Sequence, residues 1–284
     1  MKVSIIVTTY NWESALKSAL VSIARQTKLP HEVIVADDGS KESTRAMILE
    51  MAKDYPVTLK HSWQEDTGFR LARSRNLAIA AATGDYIIIL DGDMVVDRHF
   101  VKDHMRAAKR GFYAQGSRIL MRRTSTALKH HRAPHFFSKG IAKRRYTLRI
   151  PLLAKVISKV SEGTKMASVK ACNQGWWRRD LLDLNGFDER FIGWGREDKD
   201  IVSRAYRMGL KRRDIRFAGL ATHIFHPEAQ REGTNPNDLW FADNSNRNVI
   251  ACEYGIDRHI KHFEKTPLPD LRSQASGARY AEHA

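Results

Sequence analysis

The chain has 284 residues, of which 42% are hydrophobic and 28% are charged, and six of them are tryptophan. This composition excludes a disordered chain and leaves one large domain or two small ones. The formal net charge of +16 at pH 7 is uneven, because residues 118–165 contain 13 Lys or Arg and one acid, Glu162. Such a segment indicates a polyanionic partner: a membrane surface, a lipid-linked phosphate or a nucleic acid.

Strand and helix patterns alternate through the first 115 residues. Predicted strands cover residues 2–8, 32–40, 57–62 and 84–90, the second of them ending in carboxylates and a turn, and predicted helices cover residues 11–26, 41–55 and 70–82. Parallel strands buried on both faces have continuous apolar sequences, as in residues 87–90. The alternation predicts an α/β fold with a mostly parallel sheet and helices on both faces, in which ligands bind beyond the carboxyl ends of the strands.

Three polar clusters follow predicted strands: Thr-Thr-Tyr-Asn at 8–11, Asp-Asp-Gly-Ser at 37–40 and Asp-Gly-Asp at 91–93. An Asp-x-Asp pattern is expected about once by chance in a chain of this composition. Each cluster alone is also typical of a turn or a helix cap. Three of them at the ends of strands in one sheet favour a ligand site.

The type of ligand follows from the motifs that are missing. The chain has no Gly-x-Gly-x-x-Gly after the first strand and no Walker A sequence, which argues against the usual dinucleotide and P-loop sites. A nucleotide diphosphate would then need another neutralising group, which a divalent metal held by Asp91 and Asp93 could supply. Hard oxygen ligands suit Mg²⁺ or Mn²⁺.

A second group of candidate residues lies near the carboxyl end of the chain. A helix is predicted to begin at Glu197 or Asp198 and to end at Gly209. The helix dipole favours carboxylates at this position, so a simple helix cap is the alternative to a catalytic role. The preceding Gly-Trp-Gly loop places Trp194 beside these acids, as a platform on which a sugar ring could stack.

Two histidines follow the next apolar stretch. His223 and His226 are three residues apart at the end of a predicted strand. A lone strand histidine is usually structural. A closely spaced pair at a strand end leaves a metal-binding role open beside the structural one.

Two parts of the chain resemble known glycosyltransferases. Residues 3–96, with VSIIVTTYNW, EVIVADDGS and GDYIIILDGD in order, resemble the family 2 glycosyltransferases of GT-A fold. GFDERFIGWGREDKDI and THIFHPE, within residues 186–228, resemble the carboxyl-terminal catalytic part of β-1,4-galactosyltransferases and bacterial chondroitin-type polymerases. The resemblance implies a Rossmann-like GT-A catalytic domain. We divide it into a nucleotide-sugar half (1–116), a basic and mainly helical insertion (117–166), an acceptor half (167–262) and a polar tail (263–284).

The resemblance also implies roles for residues on the donor side. The residues matched to donor binding are Thr8, Tyr10 and Asp38 around the uracil of a UDP-sugar, Arg75 as a base-contacting arginine and Asp91 as an acid near the ribose or the metal. The residues matched to the metal site are Asp93, His226 and Asp91, with His223 as a neighbour. The metal implied is Mn²⁺, with Mg²⁺ as the alternative.

On the acceptor side, the resemblance makes Asp198 the catalytic base and Glu197 an acid that contacts the acceptor. The residues expected to bind the acceptor are Trp194, Arg196 and Trp176. Arg196 and Lys199 depart from the galactosyltransferase pattern, in which small or acidic residues are usual. Their positive charge suggests an anionic acceptor.

The activity implied is inverting transfer of a hexose or an N-acetylhexosamine from a UDP-sugar to a bacterial surface glycan of lipopolysaccharide-core or capsule type. Two other enzyme classes are disfavoured. A haloacid-dehalogenase-type phosphatase normally has its Asp-x-Asp in the first strand, whereas here it follows the fourth. A nucleotide-sugar pyrophosphorylase needs a Gly-rich amino-terminal loop, which residues 7–14 lack. A non-catalytic protein that binds polyanions is the remaining alternative. Nucleic acid is not an expected partner, because RNA-binding motifs are missing around the basic segment.

Within the basic segment, residues 152–160 predict a helix with an apolar stripe beside Lys155 and Lys159. Phe136, Phe137 and the basic cluster at 143–145 lie just before it. An apolar stripe flanked by Lys or Arg is typical of a helix in a membrane interface. The alternative is an amphipathic helix whose stripe covers the sheet.

The two cysteines and the amino-terminal segment predict a cellular location. Cys172 and Cys252 lie too far apart in sequence for a disulfide framework or a zinc site, which fits a reducing cytoplasm. Residues 1–12 lack the pattern of a signal peptide, and no run approaches the ~20 apolar residues that span a bilayer. We therefore expect a cytoplasmic protein, either soluble or peripheral to the inner face of the cytoplasmic membrane.

Overall fold

The structure is a computed structural model. It describes residues 1–122, 131, 133–134, 137–142, 144–226 and 235–274. Among these residues, no helix is both long enough and apolar enough to cross a bilayer.

The described part of the chain contains eleven strands and nine α-helices. The strands are β1 (Val3–Thr9), β2 (Glu32–Asp37), β3 (Thr58–Trp63), β4 (Tyr86–Asp91), β5 (Met94–Val96), β6 (Phe112–Gly116), β7 (Arg118–Met121), β8 (Ile141–Ala142), β9 (Asn173–Trp177), β10 (Lys211–Ile215) and β11 (Ala221–His223). The helices are α1 (Glu13–Ala24), α2 (Glu42–Ala52), α3 (Leu71–Ala81), α4 (Phe100–Ala107), α5 (Pro151–Val160), α6 (Arg178–Asp183), α7 (Glu197–Arg207), α8 (Asn237–Asn246) and α9 (Asp257–Lys265).

Seven strands form the central sheet, in the order β10-β6-β9-β4-β1-β2-β3. Strands β1 to β4 are parallel, β6 pairs in parallel with β10, and β9 runs antiparallel to both β4 and β6. Every residue of β1 and β2 is buried, as their Val- and Ile-rich sequences require in a sheet covered on both sides. The predicted mostly parallel sheet is confirmed.

The two faces of the sheet pack against different helices. Alternate residues of β1 point to opposite faces, so Ile5 and Val7 join one core cluster while Ile6 joins the other. The first cluster contains apolar residues of α1, α2 and α4, and the second contains those of α3, α6, α7 and α9. Helices therefore cover both faces, as the sequence predicts.

A smaller sheet, in the order β5-β11-β7-β8, stands at the end of β4. Strand β5 follows the Asp-Gly-Asp turn and pairs antiparallel with β11, placing Met94 opposite His223. This pairing joins the amino-terminal half of the chain to the segment that carries the two histidines.

The segment at 117–166 is more mixed than a helical insertion. It contains strands β7 and β8, a 3-10 turn at Arg144–Thr147 and helix α5. Because β7 pairs with β11, this segment belongs partly to the smaller sheet. The predicted residues Phe136 and Lys143 lie outside the described residues.

The predicted polar tail begins with residues that pack on the domain. Asp270 accepts hydrogen bonds from the Leu59 backbone N–H at 3.3 Å and from the Thr58 hydroxyl at 3.2 Å. Leu271 is buried in the first core cluster. The residues up to 274 therefore complete the edge of the sheet at β3, and residues 275–284 lie outside the described part.

Candidate active site

The three polar strand ends meet at one edge of the central sheet. The register places Thr8 of β1 opposite Asp91 of β4, and Thr9 opposite Asp37 of β2. The Thr8 hydroxyl donates to Asp91 Oδ1 at 3.3 Å. The predicted convergence of the three clusters is confirmed.

The second cluster ends in a tight turn rather than in a longer strand. Strand β2 stops at Asp37, whose carboxylate accepts the backbone N–H of Ser40 at 2.8 Å. Gly39 has a φ of +97°, and a Cβ there would overlap Asp66. The segment 32–40 is therefore a strand that ends in carboxylates and a turn, as the sequence predicts, and the glycine turn directs the chain into α2.

Asp38 and Tyr10 line the part of this edge that is predicted to bind the donor. The buried Asp38 carboxylate accepts the Arg70 backbone N–H at 2.9 Å and the Gln64 side-chain amide. Burial raises the pKa of Asp38 above its usual range, against the effect of these hydrogen bonds. The exposed Tyr10 hydroxyl donates to Asp66 at 2.9 Å. Sequence reasoning missed Gln64 and Asp66, because they lie in the link between β3 and α3, which carries no motif.

Gly92 lets the Asp-Gly-Asp turn lie against strand β1. A Cβ at this position would overlap the carbonyl oxygen of Thr8, so any other residue would force the two backbones apart. The two acids that flank this glycine have different partners. Asp91 contacts the central sheet, and Asp93 contacts the smaller one.

Asp93 and both histidines form the metal-type cluster of the site. Asp93 Oδ2 lies 3.0 Å from His223 Nε2 and 3.3 Å from His226 Nε2. In the described residues, these are the three side chains whose ligand atoms lie within 4.8 Å of one another. Asp93 Oδ1 is buried and has no hydrogen-bond partner. An orphaned carboxylate oxygen beside two imidazoles fits a divalent metal.

Asp91 does not belong to this cluster, in contrast to its predicted role as a metal ligand. Its Oδ1 accepts from Thr8 and lies 3.2 Å from Arg75 NH2. The pKa of Asp91 is raised above its usual range, chiefly by burial, which outweighs the lowering effect of Arg75. The neighbouring Asp93 also raises this pKa. The structure therefore places Asp91 between the donor edge and Arg75.

Arg75 also differs from its predicted role as a contact of the nucleobase. Its side chain is 2% exposed, and NH1 lies 3.1 Å from Glu197 Oε1. Its guanidinium stands 5.1 Å from the centre of the Phe187 ring. Arg75 is thus a buried bridge that joins Asp91 at the end of β4 to Glu197 at the start of α7.

Asp198 has the environment of a carboxylate poised to accept a proton. It follows Glu197 in the first turn of α7, and one oxygen accepts the Lys199 backbone N–H at 2.7 Å. Burial, and then the neighbouring Glu197, raise its pKa to about 6. Glu197 Oε2 is buried without a hydrogen-bond partner. The helix was predicted to start at one of these residues, and it starts at Glu197.

The loop before α7 holds Trp194 at the surface of the site. Gly193, Gly195 and Arg196 have φ values of +79°, +95° and +76°, so the loop turns through left-handed conformations that suit glycine. Trp194 is 60% exposed, as a stacking platform requires.

Two asparagines at the start of α8 fasten this loop. Asn235 donates to the Trp194 carbonyl at 2.9 Å, and Asn237 donates to the Gly195 carbonyl at 2.9 Å. Sequence reasoning missed both residues. The Asn-Pro-Asn sequence at 235–237 signals a turn or a helix start, but it does not name the loop that it contacts.

Of the other two residues predicted to bind the acceptor, Arg196 lies in the same loop as Trp194, whereas Trp176 does not reach the site. The Arg196 side chain forms an ion pair with Asp238 of α8, which offsets its charge beside the acceptor loop. Trp176 is fully buried in the second core cluster and stacks on Tyr113 with ring centres 4.5 Å apart. Because β9 alternates its side chains across a sheet covered on both sides, Trp176 points into the core.

These observations define an α/β protein with one candidate site at the ends of its strands. The site combines polar strand-end residues, a metal-type cluster and a carboxylate of raised pKa. Residues 4–176 match the family model described as glycosyl transferase family 2, and residues 153–227 match the one described as the N-terminal domain of galactosyltransferase. The chain belongs to glycosyl transferase family 2, which confirms the resemblance found in the sequence.

One curated relative is a chondroitin synthase of Escherichia coli. The chain is 27% identical to it over 258 residues, which cover 81% of this chain and 35% of the synthase. The chain thus spans about a third of the length of this relative.

Two solved structures share the fold at low sequence identity. S. aureus TarS 1-349 in complex with UDP-GlcNAc has a TM-score of 0.60 and 19% identity, and the match covers 91% of this chain and 69% of that one. GalNAc-T7 with UDP, GalNAc and Mn²⁺ has a TM-score of 0.64 and 16% identity, and the match covers 98% of this chain and 57% of that one. The fold is that of the GT-A glycosyltransferases, as the sequence predicts.

Proposed function

We propose that the protein transfers a hexose or an N-acetylhexosamine from a UDP-sugar to a hydroxyl of a bacterial surface glycan, with inversion at the anomeric carbon. The observation that carries the proposal is the charged bridge from Asp91 through Arg75 to Glu197, with contacts of 3.2 and 3.1 Å. One end of this bridge is Asp91, at the end of β4, and Asp93 of the metal-type cluster follows two residues later. The other end is Glu197, at the start of α7 and next to Asp198. This continuity supports a single site in which the proposed donor and acceptor groups lie together.

Asp198 is the proposed catalytic base. The acceptor hydroxyl loses its proton to the Asp198 carboxylate while its oxygen forms a bond to C1 of the donor sugar. The bond between C1 and the phosphate oxygen breaks, and UDP leaves with the electron pair. One displacement inverts the anomeric carbon, so an α-linked donor gives a β-glycoside. A pKa of about 6 leaves Asp198 mostly ionised at neutral pH.

Asp93, His223 and His226 would hold the divalent metal. A mixed set of carboxylate and imidazole ligands favours Mn²⁺ over Mg²⁺. When bound, such an ion acts as a Lewis acid that neutralises charge on a leaving diphosphate. Around it, Thr8, Tyr10 and Asp38 are the residues proposed to orient the nucleoside.

The donor and acceptor are proposed from chemistry and from the relatives together. The complexes of TarS with UDP-GlcNAc and of GalNAc-T7 with UDP support a UDP-sugar donor. The similarity to a chondroitin synthase supports a glycan acceptor. We assign the acceptor to a lipid-linked, anionic glycan of lipopolysaccharide-core or capsule type, built at the inner face of the cytoplasmic membrane. The basic segment at 118–165 supports this choice.

A donor screen tests the proposal. The purified protein is incubated with a panel of UDP-sugars, with Mn²⁺, with Mg²⁺ or with chelator, and release of UDP is measured. We expect one UDP-sugar to be turned over slowly by hydrolysis in the presence of metal, and Asp198→Asn serves as the catalytic control. A protein that releases no UDP from any donor, yet binds polyanions, would instead be the non-catalytic alternative.

A further inference from the structure

Helix α5 presents its apolar residues to solvent rather than to the sheet. Leu152, Val156 and Val160 are spaced four residues apart, so they lie on one stripe of the helix. Their exposed fractions are 76%, 53% and 82%. The alternative in which this stripe covers the sheet is therefore wrong.

The opposite side of α5 attaches the helix to the domain through small residues. Ala154 is buried in a cluster that also contains Ala107 of α4 and Ile215 of β10. Ser158 is the other buried residue of the helix. The Arg149 guanidinium, just before the helix, forms a two-contact ion pair with the buried Asp103 of α4 at 2.8 and 2.6 Å. The helix is thus anchored with its larger apolar side chains turned outward.

Further exposed apolar and basic residues lie on α5, in the chain before it and on the neighbouring helix α4. Ile150, Leu153 and Phe137 are also exposed, the last by 80%. Lys155 and Lys159 are exposed on α5, and the chain just before the helix exposes Arg144 and Arg145. The neighbouring helix α4 exposes Lys102 and Arg106.

The one acid of the basic segment does not offset this charge. Glu162 follows α5, and its carboxylate is paired with Lys109 at 3.0 Å and Arg213 at 3.8 Å. Apolar groups interleaved with positive charge suit an anionic lipid surface better than a protein groove, because lipid tails accept the apolar side chains while the headgroups neutralise the lysines.

We propose that α5 is an interfacial helix that docks the protein on an anionic bilayer. Leu152, Val156 and Val160 enter the boundary between headgroups and acyl chains, and Lys155 and Lys159 contact the phosphates. The helix is about 15 Å long, so it adds a local anchor to the electrostatic attraction of the whole segment. Docking would give the site access to a lipid-linked acceptor. This benefit to catalysis rests on the proposed function.

Sedimentation of the full chain with vesicles tests this surface. The vesicles contain phosphatidylcholine alone or with 30% phosphatidylglycerol, a probe composition of about the acidity of a bacterial membrane. We expect the protein to pellet with the anionic vesicles at low salt and to be released partly at high salt. Lys155→Glu with Lys159→Glu should lower the partition coefficient at least about tenfold, since each lysine near the surface contributes to binding.

The apolar contribution is tested by Leu152→Ser, Val156→Ser and Val160→Ser together. This variant should lose most of the binding that persists at high salt, because serine cannot replace the buried hydrocarbon. The matched charge control is Lys261→Glu with Lys265→Glu, which makes the same charge change on exposed positions of α9. Helix α9 packs on the sheet face opposite to α4, and this control should bind vesicles nearly as wild type does.

Equal and negligible pelleting with both vesicle types at low salt would overturn the proposal, as would wild-type binding by the serine variant at high salt. Equal loss of vesicle binding in the α5 and α9 charge variants would also overturn it, because binding would then depend on net charge alone. Release of UDP from a UDP-sugar without vesicles is measured in parallel and should be unchanged in all variants. Failure of the docking surface is therefore separable from failure of the proposed function.

Discussion

The proposed donor side and the proposed acceptor side of the candidate site are built in different ways. On the donor side, the ends of β1, β2 and β4 are fixed by a parallel ladder whose residues are buried on both faces. On the acceptor side, a loop with three left-handed residues is held by the start of α8. The first arrangement is rigid because of the sheet, whereas the second depends on a few side-chain contacts. We therefore expect mutations on one side to change UDP binding and mutations on the other side to change transfer or acceptor binding.

The largest expected effect is the loss of transfer in Asp198→Asn. An amide cannot accept the acceptor proton, so kcat should fall by roughly 10² to 10⁴, the usual contribution of a positioned base. Affinity for UDP with metal, measured by calorimetry, should stay at the wild-type value because the donor side is untouched. A near wild-type kcat would assign the base elsewhere, and Glu197→Gln would then be the next variant to measure.

On the donor side, Asp93→Ala, His223→Ala and His226→Ala should each weaken metal-dependent binding of UDP. The loss of one ligand of three should raise the Kd in Mn²⁺ at least about tenfold, in line with the sensitivity of metal sites to their ligands. Binding in chelator should not change. His31→Ala removes an exposed histidine far from the cluster and serves as the control. Unchanged UDP affinity in all three variants would contradict the metal assignment.

The pH dependence of catalysis tests Asp198, on the proposed acceptor side. Asp198 accepts a proton only when ionised, and its pKa is raised to about 6. The ionised fraction should therefore fall about tenfold for each pH unit below this value, and kcat/KM should fall with it and level off above pH 7. A limb that persists in Asp198→Asn, or a flat profile down to pH 4.5, would contradict Asp198 as the titrating base.

The smallest expected effect comes from loosening the acceptor loop. Asn237→Ala removes the hydrogen bond to the Gly195 carbonyl, at a cost of about 1 kcal/mol. The KM for the acceptor should rise about fivefold, the equivalent of that free energy, while the rate of UDP-sugar hydrolysis stays unchanged. Asn246→Ala, at the exposed end of the same helix, is the matched control. Equal effects of the two variants would mean that α8 is merely destabilised.

The sequence predicts the donor side well because strand ends are local features. Continuous apolar runs identify β1, β2 and β4, and parallel pairing then brings the polar residues after them together without further information. Strand β2 ends in the predicted carboxylates and turn, because Asp37 both ends the strand and accepts the Ser40 backbone N–H in the turn that follows. The family resemblance adds His226, and the pairing of β5 with β11 explains why His223 joins it.

The acceptor side could not be predicted to the same depth, because its contacts join distant segments. Arg196 is paired by Asp238, which is 42 residues away along the chain. Trp176 lies in a strand whose two faces are both buried, so no alternating pattern shows which residues of the strand face the site. The outward stripe of α5 has the same spacing that an inward stripe would have, and only packing distinguishes the two.

The close contact between Gly92 and strand β1 limits how this site can diversify. A side chain at position 92 would overlap the Thr8 carbonyl oxygen, a main-chain atom that no compensating side-chain change can remove. Saturation mutagenesis at position 92 should therefore return glycine alone among active clones, whereas the loop at 192–196 can vary its side chains as long as its glycines remain. New specificities in this scaffold are accordingly more accessible through the acceptor loop than through the turn between the two acids.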